Sequence, residues 1–198
     1  MKEYFVHPSA LCESDKIGKN TRIWAFSHVL KDVVIGEDCN LCDYTFVETG
    51  AIIGNRVTIK NGISIWDGVT IEDDVFLGPN CVLTNDIYPR SKVHFAEYQK
   101  TLIKQGASIG ANATILCGII IGRYCLIGAG AVVTKDVPDF ALMAGNPARF
   151  KNWISKTGER LVFNSDNSAT DSKGNRYQLN EKDKMEFVIE ISYLQIEN

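Results

Sequence analysis

The sequence predicts an all-β protein wound as a parallel β-helix, and three observations carry that reading. The first is a period of six. Every sixth residue from Leu11 gives Leu11, Ile17, Ile23, Val29, Ile35, Leu41, Val47, Ile53, Ile59, Ile65, Ile71, Leu77 and Leu83. A second series, out of phase with it, runs Ile103, Ile109, Ile115, Ile121, Ile127 and Val133. All 19 positions are Ile, Leu or Val, where the chain's 48 such residues among 198 would place about 5 by chance. The second observation is a small or β-branched residue four places on, as in Thr21, Ser27, Cys39, Thr45, Ala51, Val57, Ala107 and Ala131. The third is glycine directly after many of the aliphatic residues, as in Ile17-Gly18, Ile35-Gly36 and Leu77-Gly78. An amphipathic helix repeats at 3 and 4 residues and a half-buried strand at 2. A period of six suits very short flat strands separated by tight turns, with aliphatic residues filling a solid interior.

Three hexads per triangular coil put residues 18 apart in register, and the two series predict about six coils. Between them lies a break, 84–102, polar and rich in Tyr, Arg and Lys (NDIYPRSKVHFAEYQK). A loop of that length in a compact domain is usually functional. The β-helix domain is expected over residues 1–145, including this insertion. In 146–157 the segment around NPARFKNWISK, with Pro147 near its start, reads as a short capping helix. The tail 158–198 alternates apolar and polar residues in RLVF and FVIEISYLQI, as short strands around polar turns would.

Composition narrows the function. The net charge is −3, from 21 Lys and Arg against 24 Asp and Glu, which argues against a general nucleic-acid binder. No apolar run reaches a membrane span, and the first residues lack the apolar core of a signal peptide, so a soluble cytoplasmic protein is expected. Six cysteines in such a chain are expected as free thiols. Cys39-x-x-Cys42 has no second pair to complete a zinc ribbon, and one of its members points inward by register. His7, His28 and His94 do not form a credible zinc triad either, so no metal is expected.

The hexads, the loop and the ending GAGAVVTKDVPDFALMAGNPAR resemble the left-handed parallel β-helix acyltransferases. IWAFSHV, IKNGISIWDGVTIEDDVFLGPNCVLTN, YPRS and TLIKQGASIGANATILCG are similar to the branch that acetylates a 3-amino group on nucleotide-linked sugars. That resemblance, over residues 5 to 160, implies a left-handed winding, a homotrimer, acetyl-CoA as cosubstrate and a UDP- or dTDP-linked 3-amino sugar as acceptor. The product would feed O-antigen or other surface polysaccharide synthesis. A non-catalytic β-helix scaffold, or an acetyltransferase with another acceptor, are the rival readings. Neither explains the loop as well.

The site residues follow from register and from that resemblance together. Asn61, Asp67 and Asn85 fall at turn positions, where Asn and Asp also serve the backbone alone. The resemblance implies that Asn61 lies near the amino nucleophile, with Asp67 and Asn85 facing the sugar. A neutral amine attacks a thioester without a strong base, so alignment and oxyanion stabilisation matter most. His28 is the minor catalytic candidate; its bland alternative is a surface ring beside Phe46. Tyr88 and Arg90 in the loop would supply a flat face and a charge-assisted bond to a ribosyl diphosphate. For CoA, Gly128, Ala129 and Gly130 would let the pantetheine arm approach the backbone, and Lys135 and Arg149 would meet its phosphates.

Overall fold

The computed structural model describes residues 3–93, 98–182 and 185–191; His94 lies outside the described residues. Its strands are two or three residues long through the repeat and stack in parallel on three flat faces. The first face runs Phe5–Val6, Arg22–Ile23, Asn40–Leu41, Thr58–Ile59, Phe76–Leu77, Ser108–Ile109, Leu126–Ile127 and Ala141–Ala144. The second holds Leu11–Cys12, His28–Val29, Phe46–Val47, Ser64–Ile65, Val82–Leu83, Thr114–Ile115 and Val132–Val133. The third holds Val34–Ile35, Ile52–Ile53, Val69–Ile71, Thr101–Ile103 and Ile120–Ile121, extended by bridges at Ile17 and Val137. Partners sit 18 apart, as Arg22 on Asn40 and Asn40 on Thr58. The period fixes that register.

The turns explain why the period is six. Positive φ recurs at the fourth position of the hexad: Asn20, Phe26, Asp32, Asp38, Tyr44, Gly50, Arg56, Gly62, Gly68, Asp74 and Asn80. Each such residue bends the chain about the next corner, a conformation that Gly, Asn and Asp accept most readily. Inside, Ile23, Leu41, Ile59, Leu77, Ile109 and Ile127 are fully buried, and so are fifth-position Val33, Cys39, Val57 and Ala107. Buried hydroxyls are satisfied within the wall. Thr21 Oγ1 donates to Gly36 O at 2.8 Å and Thr45 Oγ1 to Cys42 O at 2.6 Å.

Several expectations change. The first face carries eight rungs rather than about six, because Phe5–Val6 and Ala141–Ala144 extend it beyond the recognisable hexads. Leu11 is not an interior residue: it pairs with outward His28, while Cys12 pairs with inward Val29. The first coil is one residue short, so counting back from Ile17 lands on the wrong side. Across the break, Ile71 pairs with Ile103 and Leu77 with Ile109, 32 apart, so 14 residues are extruded without loss of a rung.

The capping helix over 146–157 does not form. Arg149–Trp153 is a strand that turns back antiparallel on Ala141–Ala144. Gly145, at φ 99°, and Pro147 make the turn between them. The last rung leaves a row of open backbone groups, and pairing with it satisfies more of them than a short helix could. In the tail, Ser168–Thr170, Arg176–Lys182 and Met185–Ile191 form an antiparallel three-stranded sheet. Of RLVF only Arg160 makes a bridge, to Ile154, and residues 192–196 of the second stretch lie outside the described residues. Fully buried Tyr177 sits edge-on to Phe140 at 5.7 Å and donates its hydroxyl to Asp171 Oδ2 at 3.0 Å. That latch fastens the sheet to the last coil.

Candidate functional site

The second face separates two edges that carry the candidate residues. The first edge, between the first and second faces, holds Phe26, Tyr44, Asn61, Gly62 and Gly128–Gly130. The second edge, between the second and third faces, holds Glu48, Asp67, Asn85, the loop and Lys135. Within one subunit the structure therefore does not bring Asn61 together with Arg90.

Asn61 is exposed, and its side chain has no hydrogen-bond partner among the described residues; only its carbonyl is engaged, by Asn80 N at 3.0 Å. Left-handed φ falls on Gly62, at 74°, so Asn61 is not what the turn requires. On the second edge, Asp67 N donates to Glu48 Oε2 at 3.0 Å. Its carboxylate occupies the space that a Cβ on Gly50 would need, which makes glycine obligatory there at φ 95°. Asn85 is half-buried beside Thr84, whose Oγ1 accepts from Cys117 N at 2.9 Å and ties the start of the loop to the next coil. Tyr88 is 75% exposed, and among the described residues the Arg90 side chain donates only to the neighbouring Pro89 O at 2.8 Å. The guanidinium thus keeps most of its donors available.

His28 lies on the second face, edge-on to Phe46 at 5.8 Å, as its surface reading expects. Sequence reasoning missed its partner: His28 Nε2 lies 2.7 Å from Glu13 Oε1. The two are 15 residues apart, a spacing hidden by the short first coil. At the far end, Lys135 and Arg149 line one open cleft of about 440 Å³ with Thr134, Asp136, Met143 and Phe150. Asp136 is held by Ile120 N at 2.8 Å, so the one carboxylate that lines the cleft among the described residues is anchored to the wall. Gly130, at φ 68°, has open space where a Cβ would project, and Ala129 beside it is exposed. Gly128 is tighter, its would-be Cβ 3.1 Å from Ala144 Cβ. These three stand on the other edge of the second face from Lys135.

The family model for the bacterial transferase hexapeptide, six repeats, matches residues 16–49, 50–85 and 100–135, more than half of the chain. The chain belongs to the hexapeptide-repeat bacterial transferases. Within this family it is 56% identical over 174 residues to a dTDP-3-amino-3,6-dideoxy-alpha-D-galactopyranose 3-N-acetyltransferase of Aneurinibacillus thermoaerophilus, covering 88% of this chain and 90% of that one. Serine acetyltransferase 2 of Arabidopsis thaliana is 36% identical over 118 residues, 60% of this chain but 31% of that one. A hexapeptide-repeat acetyltransferase of Vibrio cholerae, solved with acetyl coenzyme A, superposes with a TM-score of 0.54 at 25% identity, covering 61% of this chain and 70% of that one. The repeats fit the left-handed winding of the family.

The family's hexads also decide what the thiols can do. Among the described residues none of the six cysteines is in a disulfide, and burial pushes Cys81 and Cys125 up to about 12, so neither offers a thiolate near neutrality. Among the described residues no group of three or more His, Cys, Asp and Glu could hold a metal ion. A neutral amide, a histidine–carboxylate pair and a cationic cleft remain, which suits binding and orienting two substrates.

Proposed function

We propose that this chain transfers acetyl from acetyl-CoA to the 3-amino group of a dTDP-linked 3-amino-3,6-dideoxyhexose. The observation that carries this is the 56% identity, over nine-tenths of its length, to an enzyme named for that reaction. It favours dTDP over UDP, and a methyl over a carboxylate at the sugar's C-5. In this reading the amine lone pair attacks the thioester carbonyl, the C–S bond breaks, and the departing thiolate takes the proton. Asn61 holds the amine or the ring, Asp67 and Asn85 the sugar, and Arg90 the diphosphate beside Tyr88. Lys135 and Arg149 meet the CoA phosphates, with Gly128–Gly130 lining the arm.

The separation of the two edges supports a homotrimer. Packed around a threefold axis, the first edge of one prism faces the second edge of its neighbour, and each cleft draws on both. The enzyme would work in the cytoplasm, without membrane or nucleic acid, supplying an acetylated sugar nucleotide for surface polysaccharide such as O-antigen. Release of free thiol from acetyl-CoA tests the reading. Turnover should be fast with the dTDP-linked 3-amino sugar, slower with its UDP counterpart and slight with the 4-amino isomer. Preference for the 4-amino isomer would reverse it.

A further inference from the structure

Two aromatic stacks stand on the edges of this β-helix, each built from residues at the left-handed fourth position of successive rungs. On the third edge, between the third and first faces, Tyr124 and Phe140 stack at 5.5 Å and 18°, with φ of 51° and 61°. A third ring, Tyr177, packs edge-on against Phe140, which is 2% exposed. On the first edge, Phe26 and Tyr44 stack at 5.1 Å and 18°, with φ of 59° and 60°. They are 58% and 62% exposed, and among the described residues no third ring lies on them. Bulky aromatic residues rarely adopt this backbone conformation, and strain of this kind tends to mark ligand sites. Elsewhere on the first edge the fourth position is Gly62, Asn80, Asn112 and Gly130, residues that suit it.

We infer that the Phe26–Tyr44 pair is the seat of the pyrimidine base of the acceptor nucleotide. The inference rests on the proposed function and deepens it, moving the base from Tyr88 to the first edge. Position supports this occupant. Phe26 stands two rungs from Asn61 on the same edge, about 10 Å along the axis at the usual strand spacing. A ribose and diphosphate fill that offset when the sugar is at Asn61. Gly62, on the rung between Tyr44 and Asn80, has no side chain of its own, and the Asn80 amide reaches over it: a Cβ on Gly62 would strike its Oδ1. The cationic cleft with Lys135 and Arg149 lies at the opposite end of the prism, so the two nucleotides do not compete. An aromatic platform also accounts for an acidic chain holding a nucleotide with few cations, since stacking needs none.

The test uses dTDP itself as probe, with calorimetry on the full chain and the variants Phe26→Asn and Tyr44→Asn. Asparagine is native at three fourth positions, Asn20, Asn80 and Asn112, so both variants should melt no lower than wild type. The dissociation constant for dTDP should rise about tenfold to a hundredfold in each, as loss of a base–aromatic stack implies. Tyr44→Phe should bind as wild type, Tyr88→Ala should change dTDP binding less, and KM for acetyl-CoA should stay within about twofold. Unchanged dTDP affinity in Tyr44→Asn overturns the inference. So does dissociation of the oligomer with loss of both substrates, which would make the pair a subunit contact. If wild type binds dTDP through these rings yet acetylates no 3-amino sugar, the proposed function falls and the base site stands.

Discussion

Asn55 and Asn61 occupy the same third position in consecutive hexads, one on the third edge and one on the first. Asn55 is fully engaged. Its Oδ1 accepts from Glu37 N at 2.9 Å, its Nδ2 donates to both oxygens of Asp73 at 3.1 Å, and its backbone N donates to Asp73 at 2.8 Å. Other side chains on the third edge are engaged in this way: Asn20 on Asp38, Arg56 on Asp73 and Asp74, Arg123 on Asp139. Asn61 makes no such bond among the described residues: Pro79, 18 places on, offers no side-chain acceptor where Asn55 meets Asp73, no bond joins it to Asp43, and only its carbonyl is used. The same residue at the same turn is thus a brace on one edge and an unspent amide on another. What distinguishes them is the residue 18 places away.

Asn61→Ala should lower kcat/KM for the amino sugar by one to three decades, about 1.4–4 kcal/mol of transition-state stabilisation, with melting unchanged. Arg90→Ala should raise KM for the sugar nucleotide about tenfold or more while KM for acetyl-CoA stays put, since one charge-assisted contact is worth about 1.5–3 kcal/mol. Removal of paired Arg56 should leave both KM values alone; a comparable rise there would show that free and engaged cations do not differ in role.

His28→Ala should cost less than Asn61→Ala, because a neutral amine needs no strong base. If it abolishes turnover, the Glu13–His28 pair is the catalytic centre instead. The smallest effect concerns pH. Hydrogen bonds from the Asn55 backbone and side chain, followed by the Arg56 charge, hold the Asp73 carboxyl below its ordinary value. A hydrogen bond from Arg56, with help from Gln105, does the same for Asp74. Both carboxylates bind protons less readily when folded, so their stabilisation is present above about pH 4 and fades as pH falls below it. Thermal melts between pH 6 and pH 3 should show that loss, and it should shrink in Arg56→Gln. An equal slope in both proteins would show that Arg56 does not hold these carboxylates below their ordinary value.

Much of this was legible in the sequence, because a repeat writes its own register. Interior positions, the 18-residue spacing and the extruded loop follow from the period alone. Legibility failed where the period is interrupted. The six-residue count puts Leu11 inward although the first coil is a residue short, and the same shortfall hides Glu13 from His28. The apolar residues of 146–157 admit a helical spacing, but the open rung edge at Ala141–Ala144 takes Arg149–Trp153 as a strand. At the site, Lys135 and Arg149 share a cleft only because the chain reverses at Gly145–Ala148, which no hexad encodes. Phe26 and Tyr44 stood 18 apart in plain view, yet only φ reveals that aromatic residues hold a corner where Gly and Asn belong.

The most direct measurement takes acetylation kinetics and melting temperature on the same preparations of Asn55→Ala and Asn61→Ala. A crossed result is expected. Asn55→Ala should keep kcat/KM within about twofold and lower the melting temperature by several degrees, as losing buried or charged hydrogen bonds of about 1–3 kcal/mol implies. Asn61→Ala should keep its melting temperature and lose at least a decade in kcat/KM. Two variants that change in the same way, both in stability or both in rate, would contradict it.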